Sequence, residues 1–298
     1  MMINEKNIKT LGTHSGKFHA DDVMATAILR LLLGDIKVTR TRDESLLKTL
    51  DFVYDISLGQ FDHHQLSKEL RANNIPYAAC GLVWREFGSR VIQKFNSQFE
   101  ENDIISIFDY IDKNLVQGID AQDNGMDIKS EIKITSISDI IQNFNPTWDS
   151  NDSKDEAFEE SVKYATMVIK RIISRQASVI KARIIVNEAF QNRTLNEIMI
   201  LKSGCPWLQQ LLKIDVNNEV LFVISPGDNN AEYMIQTVKK SGDTFEARKD
   251  ILESIRGKSS EEINFIIKID DAIFCHKSGF IASTKSMESA LKIAKLSV

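Results

Sequence analysis

Four of the chain's five histidines fall in two short clusters. The first is Thr13-His14-Ser15-Gly16-Lys17-Phe18-His19-Ala20-Asp21-Asp22, and the second is Phe61-Asp62-His63-His64-Gln65. Between them Val53-Tyr54-Asp55-Ile56 carries a carboxylate at the end of an apolar run, and Asp120 and Asp123 follow in Gly118-Ile119-Asp120-Ala121-Gln122-Asp123-Asn124-Gly125. Imidazoles and carboxylates in this mixture are the donors that one or two divalent ions require. Oxygen donors with a few histidines suit Mn²⁺ or Mg²⁺ better than Zn²⁺. Two ions about 3.5–4 Å apart, bridged by one carboxylate, would acidify a shared water and neutralise a phosphoryl group under in-line attack. No Ser-His-Asp, Cys-His or Walker A arrangement competes, which leaves metal-assisted hydrolysis as the reaction class. A plainer reading makes Asp21 and Asp22 helix caps and Asp62-His63-His64 a solvated turn. Taken together, however, the clusters supply more carboxylates and imidazoles than local capping would use.

The elements around these residues must bring them together. Ile8 to His14 reads as a strand, Phe18 to Leu33 as a helix ending at Gly34, and Ile36 to Arg42 as a second strand. Glu44 to Leu50 reads as a brief helix and Phe52 to Asp55 as a third strand. Strand–helix–strand–helix–strand with short connections predicts a parallel sheet covered by helices, with ligands beyond the carboxyl ends of the strands. Helices are expected over Ala79 to Phe99, Asp103 to Val116 and Ser138 to Phe144, with a breaker cluster from Pro146 to Asp152. Asp155 to Phe190 has the pattern of one long helix. Beyond it the strands expected are Glu197 to Leu201, Glu219 to Ser225, Tyr233 to Lys239 and Ala272 to His276, with a turn over Ser225 to Asn230. Helices fit Pro206 to Leu212 and Ser286 to Leu296. The fold class is therefore α/β: a parallel-sheet domain over residues 1–150, a connecting helix over 151–192, and a smaller α+β domain over 193–298. Trp84, Trp148 and Trp207 are expected in the core rather than stacked on a ligand.

At 298 residues, with 43% hydrophobic and 27% charged content, the chain has the make-up of a globular protein with a sizeable core. No apolar run approaches the roughly 20 residues of a membrane helix, so no membrane partner is expected. Cys80, Cys205 and Cys275 stand alone, which argues against a disulfide framework or zinc finger and for a reducing compartment. The net charge of −5 excludes a bulk polycation but leaves room for a local basic groove. Met1 to Thr10 shows neither a signal-peptide core nor a transit-peptide composition. The cytosol or nucleus is the expected location, with mitochondria disfavoured.

The order His14, His19-x-Asp21, Asp55, Asp62-His63-His64, Asp123 resembles the DHH phosphoesterase superfamily. More closely, Gly12 to Asp22, Tyr54-Asp55, Phe61 to Gln65, Gly81-Leu82-Val83-Trp84 and Asp120 to Gly125 resemble the melanocyte-proliferating-gene family. The likeness continues at Gly204-Cys205-Pro206-Trp207, Phe245-Glu246-Ala247-Arg248 and His276-Lys277-Ser278-Gly279-Phe280-Ile281, and so covers nearly the whole chain. The resemblance implies a metal-dependent 3′→5′ exonuclease on RNA, with relatives in nucleus and mitochondria. By position it implies one ion on His14, His19 and Asp55, and a second on Asp21, Asp55, His63 and Asp123, with Asp55 as the bridge. Mn²⁺ is the first choice for both, Mg²⁺ the second. His64 would touch the scissile phosphate and Asp62 would orient its neighbours. The run Ile56-Ser57-Leu58-Gly59-Gln60-Phe61 departs from the family's Val-Gly-Gly start while keeping the ligands.

The resemblance also implies a second domain that closes over the site and holds the substrate. Arg248, Lys249, Arg256, His276 and Lys277, with Gly279, are the residues expected to contact phosphates, with ordinary solvated charges as the alternative. The expected substrate is single-stranded RNA or a short oligonucleotide. The rivals are a pyrophosphatase or cyclic-dinucleotide phosphodiesterase of the same superfamily, or a non-catalytic RNA- or partner-binding module stabilised by metal.

Overall fold

The computed structural model describes residues 3–65, 68–126, 131–132, 134–227 and 231–298. The chain divides into two compact units, Met1–Gln176 and Ala177–Val298.

The first unit is built on a three-stranded, wholly parallel sheet: β1 (Thr10–Thr13), β2 (Lys37–Arg40) and β3 (Phe52–Val53), in the order β2-β1-β3. The connections are α1 (Ala20–Leu33) and the single turn α2 (Glu44–Leu47). Parallel neighbours end at the same edge, so His14, Arg42 and Asp55, each one or two residues past its strand, emerge side by side.

Helix α1 packs on α3 (Ala79–Phe95), and every residue from Ala20 to Leu29 is buried. A helix apolar nearly all round belongs in a core, and this burial is what takes Asp21 and Asp22 out of water. Gly34 follows α1 at φ 92, a conformation that favours glycine.

The sequence pattern ends a helix at Val116, before the segment from Gly118 to Gly125 that holds Asp120 and Asp123. Instead α4 (Glu101–Ile111), a π-helical turn (Asp112–Val116) and α5 (Gln117–Asp123) run on without a break. The buried residues Ile107, Ile111, Val116 and Ile119 explain it. A five-residue step from Ile111 to Val116 leaves the buried face of an α-helix, and one wide turn restores it.

The buried Arg71 guanidinium ties this helix to the segment before α3, lying 2.9 Å from Asp112 and 2.7 Å from Asp120, over the Tyr77 ring. The Gly81 N–H donates to Asp120 Oδ1 at 2.9 Å. A Cβ on Gly81 would lie 1.8 Å from Asp120 Oδ2, so the approach requires glycine.

The unit continues through α6 (Ile137–Gln142), capped by Ser136, into α7 (Lys154–Gln191), within which the division between units falls. Trp84 is fully buried, as expected. Trp148 is not: it is 96% exposed, because Pro146 and the turn closed by Ser150 N–H on Thr147 O hold it out of any apolar face.

The second unit carries a five-stranded mixed sheet in the order β4-β5-β6-β8-β7. Its strands are β4 (Ile198–Ile200), β5 (Phe222–Pro226), β6 (Tyr233–Thr237), β7 (Ala272–Cys275) and β8 (Ile281–Thr284). Only β4 and β5 pair in parallel; the other neighbours are antiparallel.

Helices α8 (Leu208–Ile214), α9 (Ser260–Ile267) and α10 (Met287–Ser297) complete it. Strand alternation puts Phe222 and Ile224 in a core with Ile263 and Ile293, and Val223 in another with Val186, Trp207 and Leu211. The turn expected over Ser225 to Asn230 starts later, because β5 runs on to Pro226; Asp228, Asn229 and Asn230 lie outside the described residues. Strand β8 and helix α9 are additions to the sequence-based expectation.

Candidate active site

The carboxyl edge of the parallel sheet, the start of α1 and the end of α5 enclose a cavity of about 470 Å³ in the first unit. His14, His19, Asp55, Asp62, His63, His64 and Asp123 reach it, so side chains up to 109 positions apart in the sequence (14 to 123) share one hollow.

Three groups of ligand atoms lie within 4.8 Å of one another: His14 with Asp22 and Asp55, His19 with Asp21 and Asp123, and Asp55 with Asp62, His63 and His64. His14 Nε2 lies 3.2 Å from Asp55 and 3.3 Å from Asp22. His63 lies 2.9 Å from Asp123 through Nε2, and 3.4 Å from Asp55 and 3.8 Å from Asp21 through Nδ1.

The grouping differs in one respect from the ligand set implied by resemblance. His19 stands beside Asp21 and Asp123, while Asp22 occupies the place next to His14. His19 precedes the first turn of α1, and its N–H on Asp22 Oδ1 (2.9 Å) holds the imidazole at the exposed rim. Asp120 is withdrawn into its contacts with Gly81 and Arg71, leaving Asp123 as the carboxylate that α5 presents.

Backbone strain marks the loop after β3. Asp55, Ser57 and Leu58 have φ of 57, 73 and 54, left-handed values that side-chain-bearing residues adopt at a penalty of about 1–3 kcal/mol each. Asp62 holds the loop in this shape: its Oδ2 accepts from Leu58 N–H and its Oδ1 from His64 N–H and the His64 ring at 2.7 Å. Burial raises the Asp62 pKa, but these hydrogen bonds outweigh it and leave the group below its ordinary value.

The electrostatics of the pocket are unbalanced. Burial first, then the neighbouring charges of Asp55, Asp123 and Asp22, hold Asp21 well above the ordinary carboxyl range. Burial pushes Asp22 up to about 7 in spite of His14. The pKa values of His14 and His63 are raised, because adjacent carboxylates outweigh the effect of burial. Asp123 is lowered: burial works against its charge, and His63 prevails.

Both oxygens of Asp21, one each of Asp22 and Asp55, and His63 Nδ1 are buried without a hydrogen-bond partner. Unpaired buried carboxylate oxygens are strongly disfavoured. Divalent cations held among these groups would satisfy them, and an oxygen-rich set suits Mn²⁺ or Mg²⁺.

Two cations also line the cavity, Lys17 and Arg42, and the sequence pattern alone does not single them out. The usable signal is topological: Arg42 follows β2 as His14 follows β1, and the Arg42 Nε–H on Ser15 O holds the side chain across the mouth.

In the second unit, Arg248 is turned inward, paired with Asp215 and donating to Val220 O at 2.8 Å, which removes it from any surface phosphate. Arg256, His276, Lys277 and Gly279 come together around the β7–β8 turn, whereas Lys249 is an exposed side chain apart from that contact set. Gly279 has φ 69, and a Cβ there would lie 2.6 Å from Arg256 Nε, so the arginine lies directly on the glycine.

The described residues contain no helix long and apolar enough to cross a membrane.

The chain is similar to known proteins along nearly its whole length. The family model MYG1_exonuc, described as Uncharacterised protein family (UPF0160), matches residues 10–298. The MYG1 exonuclease of Bos taurus is 31% identical, the match covering 96% of this chain and 83% of that protein. The human MYG1 exonuclease is also 31% identical, with coverage of 96% and 84%. A MYG1 protein of Saccharomyces cerevisiae is 27% identical, with coverage of 99% and 97%. Among solved structures, a pGpG-specific phosphodiesterase from Vibrio aligns over 96% of each chain at 11% identity, with a TM-score of 0.32. With the family model spanning all but the first nine residues, the chain belongs to the MYG1 exonuclease family.

Proposed function

We propose that this protein is a metal-dependent phosphodiesterase, a 3′→5′ exonuclease that trims single-stranded RNA or short oligonucleotides by two-metal hydrolysis. One observation carries the reading: buried, unpartnered oxygens of Asp21, Asp22 and Asp55 belong to groups of ligand atoms with His14, His19, His63 and Asp123, and Asp55 and these four residues line a cavity that also bears Lys17 and Arg42. The relatives named as exonucleases support the substrate class.

The resemblance puts His19 with His14 and Asp55 on one ion; the grouping in the structure favours His14, Asp22 and Asp55 for that ion and Asp21, Asp55, His63 and Asp123, with His19 at their side, for the other. Asp55 belongs to two of the three groups and would bridge. Bound divalent ions supply an acidified water and charge neutralisation on the phosphoryl group.

The chain's own residues do the rest. Lys17 and Arg42 draw the phosphate into the mouth and offset its charge. His64, its Nδ1 held 2.7 Å from Asp62, reaches the cavity and would touch a phosphate or leaving-group oxygen there. Asp62 keeps that ring in one orientation. The location proposed from the sequence is cytosolic or nuclear.

The test incubates wild type and Asp55→Asn with end-labelled RNA and DNA, pyrophosphate and cyclic dinucleotides, in Mn²⁺, Mg²⁺ or EDTA. A stepwise ladder from the 3′ end of RNA, abolished by EDTA and by Asp55→Asn, is the expected result. Phosphate release from pyrophosphate alone, or opening of cyclic dinucleotides without trimming, overturns the exonuclease reading.

A further inference from the structure

The second unit holds a larger cavity, about 790 Å³, that none of the hydrolytic chemistry above uses. Its walls are mainly apolar and aromatic. Trp207 lies at the base with 8% of its surface exposed, while Phe280 is 46% exposed and Phe245 is 95% exposed. A phenyl ring left almost wholly in water beside a hollow is characteristic of a surface that receives a ligand.

The polar groups of the cavity say which kind. The Trp207 Nε1–H donates to Gln236 Oε1 at 3.2 Å. Indole nitrogen is a donor only, so this bond fixes which end of the Gln236 amide is oxygen. The amide NH₂ is left with no hydrogen bond among the described residues. Gln209 and Ser278 add an amide and a hydroxyl to the same walls. Flat aromatic faces with amide and hydroxyl groups at their edges match a planar heterocycle that stacks on its faces and hydrogen-bonds along its rim.

The cavity's own charges balance, Lys239 against Asp250, so the case for an attached phosphate rests on the neighbouring β7–β8 turn. Lys239 Nζ stands 4.6 Å from the Phe245 ring centre, at the cavity wall. Ser278 and Phe280 belong to the same β7–β8 connection as His276, Lys277 and Gly279. A base entering between Phe245 and Phe280 therefore brings its own phosphate toward that turn.

We infer that the Trp207–Phe245–Phe280 cavity is a nucleobase subsite, gripping one base of the oligonucleotide through stacking and the Gln236 amide. The inference rests on the phosphodiesterase reading for its role but is tested without hydrolysis.

In EDTA, binding of a fluorescent single-stranded RNA octamer and of an abasic sugar-phosphate octamer is measured for wild type, Phe245→Ala, Phe280→Ala and Phe245→Tyr. Phe245 is exposed, so its truncation leaves the fold intact. Loss of one stacked base weakens binding about tenfold. Phe245→Ala and Phe280→Ala are expected to lose about that factor on RNA and nothing on the abasic chain, and Phe245→Tyr to recover it.

Equal binding of the RNA octamer by wild type and both alanine variants overturns the subsite, even if the wild type cleaves RNA. Loss of affinity that is the same for RNA and abasic chains also overturns it, because the rings would then be serving the backbone. Base-dependent binding in a protein that cleaves no diester sustains the subsite and rejects the exonuclease reading.

Discussion

Replacing Asp22 by asparagine is expected to stabilise the protein when metal is removed. Asp22 is fully buried and one of its oxygens lacks a partner. Burial above all pushes its pKa up to about 7. Ionising a carboxyl moved that far from its ordinary value near 3.8 is disfavoured by roughly 4 kcal/mol, at about 1.4 kcal/mol per tenfold change in the ionisation constant.

The native value lies above the unfolded one, so the native state keeps its proton longer. Stability is intact below about pH 4 and is lost as pH rises to about 7. The raised pKa values of His14 and His63 act in the same direction, their contribution being lost as pH climbs through the raised native values.

Asparagine keeps the shape and still accepts from His19 N–H, but it cannot pair with protonated His14. The net gain is therefore about 2–3 kcal/mol at pH 8, fading toward pH 4. For a unit of this size that is a rise of roughly 5–10 °C in its melting temperature.

Scanning calorimetry in EDTA at pH 5 and pH 8, repeated with millimolar Mn²⁺, reads both effects. With Mn²⁺ the order reverses, because a cation bound only by the native state stabilises it by mass action and the variant holds that cation more weakly. An Asp22→Asn protein that melts below wild type in EDTA at pH 8, or that gains as much from Mn²⁺, refutes the idea of a pocket built around uncompensated negative charge.

Gly81→Ala should destabilise the first unit by about 3 kcal/mol or more, since its Cβ would meet Asp120 Oδ2 at 1.8 Å; soluble yield and melting temperature measure it. Asp215→Ala should weaken the second unit by about 3–5 kcal/mol, because it strands the buried Arg248 charge, and urea unfolding followed by circular dichroism would show it. Asp62→Asn should lower the rate constant about 10–100-fold while leaving bound Mn²⁺ unchanged in a metal assay, and should expose the loop around Leu58 to protease. The lowered pKa of Asp62 means its contribution to stability is present above about pH 4 and fades as acid reaches the native value, a drop that Asp62→Asn removes from a pH–stability profile.

The parallel sheet and the convergence of His14 and Asp55 were legible because strand ends carry chemistry and the spacing of short apolar runs is a local signal. Helix α9 was missed although it carries a local signal: Ser259 and Glu262 form an S-x-x-E capping pair, and both hydrogen bonds are present in the structure. Strand β8 carries none, since Ser283 and Thr284 look like surface residues and are buried only because the sheet closes around them.

The fate of Arg248 lay equally beyond local pattern. Its partner Asp215 is 33 positions away, and only the tertiary fold decides whether an arginine meets a carboxylate or a phosphate. Asp120 and Asp123 show the same limit at closer range. Both sit on α5, and the choice between them rests on Gly81 and Arg71, residues remote from either.

The loop held by Asp62 has a bearing on how the pocket takes up cargo. Each oxygen of that carboxylate is already engaged by its own neighbours, so its first duty is to the loop and the His64 ring. An ion placed here would draw its oxygen donors instead from Asp21, Asp22 and Asp55, whose buried oxygens have no hydrogen-bond partner.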